Sequence, residues 1–227
     1  MPGTLALTDD KEYKIDQNLD DCTLSYTRTF PNDKWQALFL PFAMSYTDWS
    51  EKGQMAELTS VADGVLEWTI MEEGRQTEAG KPYIFKPNAF QGETSREIVF
   101  STTGALASCT AKTDVKPNLK GTETPSGYVL SGTYAVKTDM ASTHAYALSA
   151  GNFYYTTDDE KTLKPYRIFL TVPEAQNPSY APIRSRINGE DVTDKVDRSG
   201  ALSLNVNVYP IGENPISIIV RTDKHKE

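Results

Sequence analysis

Short runs in which apolar and polar residues alternate recur along the chain, and they constrain the fold more than any other feature. In VLEWTIM, residues 65–71, the alternation puts Leu66, Trp68 and Ile70 on one face of a strand. LSLNVNV, residues 202–208, repeats the pattern. Similar runs are REIVF, GTYAV, YRIFL and ISIIV. Clusters of Gly, Pro, Asn or Asp interrupt them about every ten residues. This spacing predicts an all-β fold, an antiparallel β-sandwich with a β-barrel as the alternative.

The most apolar run, WQALFLPFAM at residues 35–44, differs because both of its faces are apolar. Trp35 and Phe39 share one face, and Leu38 and Leu40 share the other. A strand of this kind is typical of a sheet that is covered on both sides. Pro41 lacks an N–H group and should end the pairing or mark a bulge. We therefore predict a central strand with Trp35 and Phe39 in the core.

The only fair candidate for a helix is YTDWSEKG at residues 46–53, and a loop is the alternative there. Thr47 or Asp48 could cap a single turn at its start, because these side chains accept hydrogen bonds from free backbone N–H groups. Gly53 could close the turn.

Two β units are predicted, joined by a linker. AQNPSYAP at residues 175–182 combines two prolines with small and polar residues, which is typical of a linker. It separates a main antiparallel β domain, residues 1–174, from a small C-terminal β unit, residues 183–227. The smaller unit contains the hairpin signal Asn188-Gly189. It is marginal in size for independent folding, so we expect it to pack against the larger domain.

The composition indicates a folded protein and argues against some partners. Of 227 residues, 38% are hydrophobic and 10% aromatic, which is ordinary for a globular chain. The net charge of −8 opposes binding to nucleic acid or to an anionic membrane. We expect no membrane-spanning segment, because the sequence has no apolar run of about 18 residues. The opening MPGTLALTDD lacks the basic start and apolar stretch of a signal peptide.

The sequence shows no set of residues that points to a metal or a cofactor. The two cysteines, Cys22 and Cys109, are too few for a disulfide framework or a zinc site. A single disulfide and two free buried thiols both remain open.

Candidate catalytic residues are few. The two histidines are His144, predicted at the start of a strand, and His225, in a charged terminal stretch. Two carboxylate groups could support hydrolysis of a glycosidic bond, Glu72-Glu73 and Asp158-Asp159-Glu160. Both lie in turn-like stretches, where acidic side chains are usually solvated. We therefore predict no catalytic residue and a protein that is not an enzyme.

Two aromatic residues are candidates for ligand binding. Tyrosine and tryptophan suit carbohydrate and peptide surfaces because each combines a flat apolar face with a polar tip. Trp49 is predicted in a loop. Tyr154 is predicted to point outward from a strand whose Phe153 and Tyr155 face the core.

Several longer motifs of the chain resemble motifs that occur together in one class of proteins. YTRTFPNDKWQALFLPF, AGKPYIFKP, YALSAGNFYY and LKPYRIFL, within residues 24–172, resemble a β-rich module of secreted and cell-surface proteins from Bacteroides-type gut bacteria, often found beside leucine-rich repeats. The tail, with INGEDVTDKV, GALSLNVNV and NPISIIV, is similar to a short β unit of the same class. The family has no assigned reaction, so the resemblance implies no catalytic residue.

The resemblance implies an extracellular or outer cell-surface location, with protein or glycan partners at the cell surface. We expect a non-catalytic module for adhesion, assembly or display. The alternative is a carbohydrate-binding module of a glycan-utilisation system. A third reading is a glycan-active enzyme that uses a carboxylate pair.

Overall fold

Strands make up 57% of the structure and helix 3%. The computed structural model describes residues 3–15, 18–62, 64–106, 128–149, 151–157, 161–171 and 183–192, which belong to one unit within residues 1–194. The elements in chain order are β1 Thr4–Thr8, β2 Leu19–Phe30, β3 Gln36–Phe39, α1 Tyr46–Trp49, β4 Gly53–Ala62, β5 Val65–Ile70, β6 Pro82–Pro87, β7 Arg96–Leu106, β8 Val129–Thr133, β9 Ala145–Ser149, β10 Asn152–Tyr155, β11 Arg167–Thr171, β12 Arg184–Ile187 and β13 Glu190–Asp191.

These strands form three sheets. Their strand orders are β1-β2-β7, β10-β9-β11-β8 and β13-β12-β5-β4-β6-β3. Most pairs are antiparallel, while β1 runs parallel to β2 and β12 runs parallel to β5. The sheets of the described residues do not close into a barrel. The predicted all-β, sandwich-like fold is confirmed, and the barrel alternative is not.

The six-stranded sheet has apolar contacts on both of its faces. Phe85 of β6 packs against Phe30 of β2, with ring centroids 5.5 Å apart. Phe39 of β3 stacks on Tyr134, next to the four-stranded sheet, at 4.4 Å. Phe85 pairs with Gln36, three residues before Phe39, so the two phenylalanines point to opposite faces. The other two sheets therefore cover this one from opposite sides.

The apolar run at residues 35–44 is buried as predicted. Trp35 is 6% exposed and Phe39 is fully buried, and the strand ends before Pro41. Among the described strands β3 pairs with β6 alone and lies at the end of its sheet, so for this part of the chain the prediction of a central strand is wrong. Its burial comes from the layers above and below it, which local sequence cannot distinguish from burial between two neighbouring strands.

A buried arginine occupies the free edge of β3. Arg28 Nη1 donates a hydrogen bond to the carbonyl oxygen of Ala37 at 2.6 Å, and Nη2 donates to Gln36 Oε1 at 2.9 Å. The guanidinium also lies 4.4 Å from the ring centroid of Phe30. Burial lowers the pKa of Arg28 to about 10, which still leaves the group charged at neutral pH. This side chain supplies donors where a neighbouring strand would otherwise provide them.

Arg28 belongs to a network that also contains Asp9, Tyr26 and Arg167. Arg167 donates to both carboxylate oxygens of Asp9, at 2.6 and 2.7 Å, and the Tyr26 hydroxyl donates to Asp9 as well. Arg28 Nε lies 3.8 Å from Asp9 Oδ1. Burial alone would raise the pKa of Asp9, but the hydrogen bonds and charge of Arg167 outweigh it, and the pKa is lowered. Burial raises the pKa of Tyr26.

The short helix is present, but its cap differs from the prediction. Ser45 is the N-cap of α1, and its backbone N–H donates to Asp48 Oδ2 at 2.7 Å. Asp48 is thus the third residue of the helix, and its carboxylate accepts a hydrogen bond from the residue that caps it. Thr47 lies within the helical turn and is not the cap. Gly53 begins β4 instead of closing the helix.

The first part of the predicted C-terminal unit lies in the six-stranded sheet. β12 pairs with β5, and the hairpin from β12 to β13 turns at Asn188 and Gly189, with φ of 50° and 82°. Positive φ at both residues is what an Asn-Gly hairpin turn requires. The linker at 175–182 and the predicted strands at 202–208 and 216–220 lie outside the described residues. The division into two units stays a prediction.

Candidate ligand-binding groove

A groove with a volume of about 410 Å³ lies at one end of the six-stranded sheet. Its lining comes from the residue before β3, from β6, β4 and β5, and from the β12–β13 hairpin. The lining residues are Trp35, Gln54, Ile70, Lys86, Ile187, Asn188, Glu190, Asp191 and Val192.

The register of the sheet brings these side chains into one row. Gln54 of β4 pairs with Lys86 of β6. Gln36 pairs with Phe85 and the two strands are antiparallel. Trp35, one residue before Gln36, therefore lies beside Lys86, one residue after Phe85. Ile70 at the end of β5 pairs with Ala56, two residues from Gln54 and on the same face. Since strands lie about 4.8 Å apart, the row spans several strands and is as long as a small ligand.

The β12–β13 hairpin forms one wall of the groove and is held by its turn. Asn188 Oδ1 accepts a hydrogen bond from the Ile70 backbone N–H at 3.1 Å. The Asn188 backbone N–H donates to the Trp68 carbonyl oxygen at 2.9 Å. Both bonds attach the turn to the end of β5, so the wall is fixed to the floor.

Ion pairs hold the two strands of this hairpin together and attach the hairpin to β5. Arg186 Nε donates to Asp191 Oδ1 at 2.7 Å, and Arg186 Nη1 lies 3.3 Å from Glu67 Oε1. The hydrogen bond from Arg186 lowers the pKa of Asp191. Asp191 therefore carries its charge at neutral pH and is already paired.

The groove combines an apolar floor with a polar rim. Ile70, Ile187 and Val192 are half-buried, whereas Gln54, Lys86 and Glu190 are exposed. Within the described part of the chain, the side chains of the last three have no hydrogen-bond or ion-pair partner. They can therefore bond to a ligand without first breaking an internal contact.

The predicted binding residues lie elsewhere. Trp49 belongs to α1, is 1% exposed and packs edge-on against Tyr46 at 4.8 Å. The prediction of a loop position is wrong, and the buried ring has no face open to a ligand. Tyr154 lies half-buried in β10 next to the fully buried Phe153, and Tyr155, which was expected to face the core, is half-buried as well. Neither Trp49 nor Tyr154 lines the groove.

The residues considered for catalysis are exposed where the structure describes them. His144 is exposed in the turn before β9, with φ of 51°. Glu72 and Glu73 are exposed at a turn after β5. His225 and residues 158–160 lie outside the described residues.

The structure describes one of the two cysteines. Cys22 is a free, buried thiol in β2. Cys109 lies outside the described residues.

Sequence reasoning missed the groove because its residues come from distant parts of the chain. The alternation predicts Trp35 in the core, and the sequence indicates Asn188 only as a turn residue. The Asn-Gly signal located the wall correctly. No local pattern, however, indicates that β12 adds to β5, more than a hundred residues earlier.

Comparison with known protein families, with characterised proteins and with solved structures found no match. None of the described helices is long and apolar enough to cross a lipid bilayer.

Proposed function

We propose that this protein is a non-catalytic cell-surface module that binds carbohydrate in the groove at the end of its six-stranded sheet. The observation that carries this proposal is the row of unpaired polar side chains, Gln54, Lys86 and Glu190, above a half-buried apolar floor. The cell-surface location rests on the resemblance of the sequence motifs. Adhesion through a surface glycan is the role that fits both.

The chemistry of a sugar ring matches this arrangement. A pyranose has an apolar face of C–H groups and a rim of hydroxyls that both donate and accept hydrogen bonds. Ile70 and the edge of Trp35 can contact the apolar face. Gln54 and Lys86 offer donors, and Glu190 offers acceptors. The volume of about 410 Å³ lies within the range of about 300–1,000 Å³ that is usual for small-ligand sites.

The placement of the acids favours binding over hydrolysis. Glu190 and Asp191 are neighbours in one strand, so their side chains leave the backbone on opposite faces. Asp191 is also held in ion pairs with Arg186 and Arg184, at 2.7 and 3.9 Å. Glycoside hydrolysis requires two carboxyl groups that face each other across the bond.

A glycan array probed with the labelled full-length protein tests the proposal, followed by calorimetry on each glycan that binds. Gln54→Ala and Lys86→Ala should each weaken binding about tenfold, because each removes a direct hydrogen bond to the ligand. Gln91→Ala and Lys161→Ala change the same residue types at exposed positions outside the groove and should leave the affinity unchanged. Absence of glycan binding, or equal loss in the control variants, would contradict the proposal.

A further inference from the structure

The turn between β12 and β13 contains the one Asn-Gly pair of the sequence, Asn188 and Gly189. Both residues are exposed to solvent. A Cβ atom added at Gly189 would meet nothing within 4 Å. Glycine itself has no Cβ, so neither its own side chain nor a neighbouring group shields its backbone nitrogen.

The two nitrogen atoms of this pair are not used by the fold. Among the described residues, the Gly189 N–H donates no hydrogen bond, and neither does the side-chain NH₂ group of Asn188. The Asn188 amide is held through its oxygen, which accepts from the Ile70 N–H. Both nitrogen atoms are therefore open to solvent and to reaction.

An asparagine followed by glycine reacts within the chain, without an enzyme or a cofactor. The Gly189 nitrogen gives up its proton to solvent and bonds to Cγ of Asn188. The bond from Cγ to the side-chain nitrogen breaks, and that nitrogen takes up a proton and leaves as ammonia. Water then opens the five-membered imide at one of its two carbonyl groups. The product is aspartate or isoaspartate, and each carries one negative charge.

The folded turn opposes this ring closure. The Ile70 N–H donates to Asn188 Oδ1 at 3.1 Å, and the Asn188 N–H donates to the Trp68 carbonyl oxygen at 2.9 Å. These bonds fix both the side chain and the backbone of Asn188. Ring closure rotates the side chain toward the Gly189 nitrogen, so the bond from Ile70 must break first. The reaction therefore proceeds from a hairpin that has opened locally.

The β12–β13 hairpin is suited to local opening. β13, Glu190–Asp191, has two residues, both exposed, and lies at the end of its sheet among the described strands. Arg186 joins it to β12 and β5 through ion pairs with Asp191 and Glu67, at 2.7 and 3.3 Å. Exposed ion pairs of this kind stabilise little. The hairpin can therefore open while the rest of the sheet stays folded.

We propose that Asn188 is a site of spontaneous deamidation and that opening of the β12–β13 hairpin sets the rate. The reaction changes the groove, because Asn188 is one of its lining residues. A carboxylate at position 188 adds negative charge close to Glu190 and Asp191. Isoaspartate also adds one carbon to the main chain of the turn and disturbs the pairing of Ile187 with Glu190. The modification does not depend on carbohydrate binding.

Peptide mass spectrometry of the full-length protein measures the reaction. The protein is incubated in mildly alkaline buffer and digested in mild acid, where the reaction is slow, and chromatography separates the aspartate and isoaspartate products. Asn88 is the internal control, since it is exposed, precedes Ala89, and donates from its side-chain nitrogen to the Glu51 carbonyl oxygen at 2.7 Å. We expect conversion at Asn188 and none at Asn88 over the same period.

The control that the turn exerts is measured by unfolding the protein in guanidinium chloride. The folded protein should convert at least about tenfold more slowly, because two hydrogen bonds have to break first. Arg186→Gln should raise the rate in the folded protein about two- to fivefold, because it removes the ion pairs that close the hairpin. Arg96→Gln is the matched control, since Arg96 lies in another sheet and pairs with Glu93, and the rate should not change.

Two further measurements check the chemistry and its consequence. Asn188→Gln keeps the amide but would have to close a six-membered ring, so position 188 should show no change in mass. Hydrogen–deuterium exchange in residues 184–192 should be faster in the isoaspartate form than in fresh protein, because the lengthened turn no longer fits the pairing of the two strands.

Three results would overturn the proposal. The first is no conversion at Asn188 in the folded protein by the time that the unfolded protein has converted completely. The second is an equal rate in the folded and the unfolded protein, which would show that the turn does not control the reaction. The third is equal conversion at Asn88, which would show that the Asn-Gly turn is not a distinct site.

Discussion

Replacing Asp9 by Asn should destabilise the protein by about 3 kcal/mol, because Asp9 is the one acid that the described residues contribute to a network with two arginines. The change keeps the shape of the side chain but removes its charge. Arg28 and Arg167, whose side chains are 5% and 14% exposed, then face each other without a counter-charge. The figure is at the low end for breaking a buried ion pair, since the Asp9 side chain is 21% exposed.

Replacing Arg28 by Met should cost less, about 1 to 2 kcal/mol. The change leaves the carbonyl oxygen of Ala37 without its donor, which is a penalty for a buried acceptor. It also leaves Asp9 and Arg167 as a balanced pair and removes the repulsion between the two arginines, which contributes to the lowered pKa of Arg28. The apolar stem of Met can still pack on Phe30.

Urea unfolding followed by tryptophan fluorescence and by circular dichroism measures both changes, with Asp10→Asn as the control. Asp10 is exposed, so its replacement should change the free energy of unfolding by less than about 0.5 kcal/mol. If Arg28→Met proved more destabilising than Asp9→Asn, or if Asp9→Asn equalled the control, charge balance in this network would not be what stabilises it.

Three other predictions concern the core and the response to acid. Trp35→Ala should lower stability by about 3 to 5 kcal/mol, and a variant that melts like the parent protein would refute the burial argument. Gly132→Ala should cost about 1 to 3 kcal/mol, because its new methyl group would lie 2.1 Å from ring atoms of Phe39, and calorimetry would detect the lower melting temperature. The lowered pKa of Asp9 contributes stability that is fully present above its usual value of 3.8 and is lost as the pH falls through the lowered value. Asp9→Asn should therefore show a smaller loss of stability in acid than the parent protein, in melting curves recorded from pH 6 to pH 2.

Local patterns predicted the strands well and their arrangement poorly. The alternation around Trp68 and the apolar run at Trp35 indicated real strands, because side-chain direction along a strand depends only on neighbouring residues. The edge position of β3 depends on Arg28, eight residues before that strand begins, and on the layers that cover it. The cap at Ser45 could have been found, since Ser followed three residues later by Asp is close to the capping-box pattern.

The candidate groove could not be predicted in the same way. Its floor and rim come from β4, β5, β6, the residue before β3 and the β12–β13 hairpin. The parallel pairing of β12 with β5 brings residues 117 apart into contact, as Trp68 and Ser185 show. Single-sequence reasoning finds a turn such as Asn188-Gly189 from two letters. It has no comparable signal for long-range parallel pairing, which is set by the packing of the whole sheet.

The ion pair between Asp9 and Arg167 joins residues that are 158 positions apart. During synthesis the N-terminal residues leave the ribosome first, yet this contact can form only after Arg167 has also emerged. Glu12 Oε1 likewise accepts a hydrogen bond from the Val136 backbone N–H at 3.2 Å, a contact that can form only after Val136 has emerged. Contacts with such large sequence separation slow folding, because the intervening chain must be ordered before they contribute. β1 can pair with the nearby β2 early, but the arginine network that follows β1 can close only after the chain up to Arg167 has been ordered.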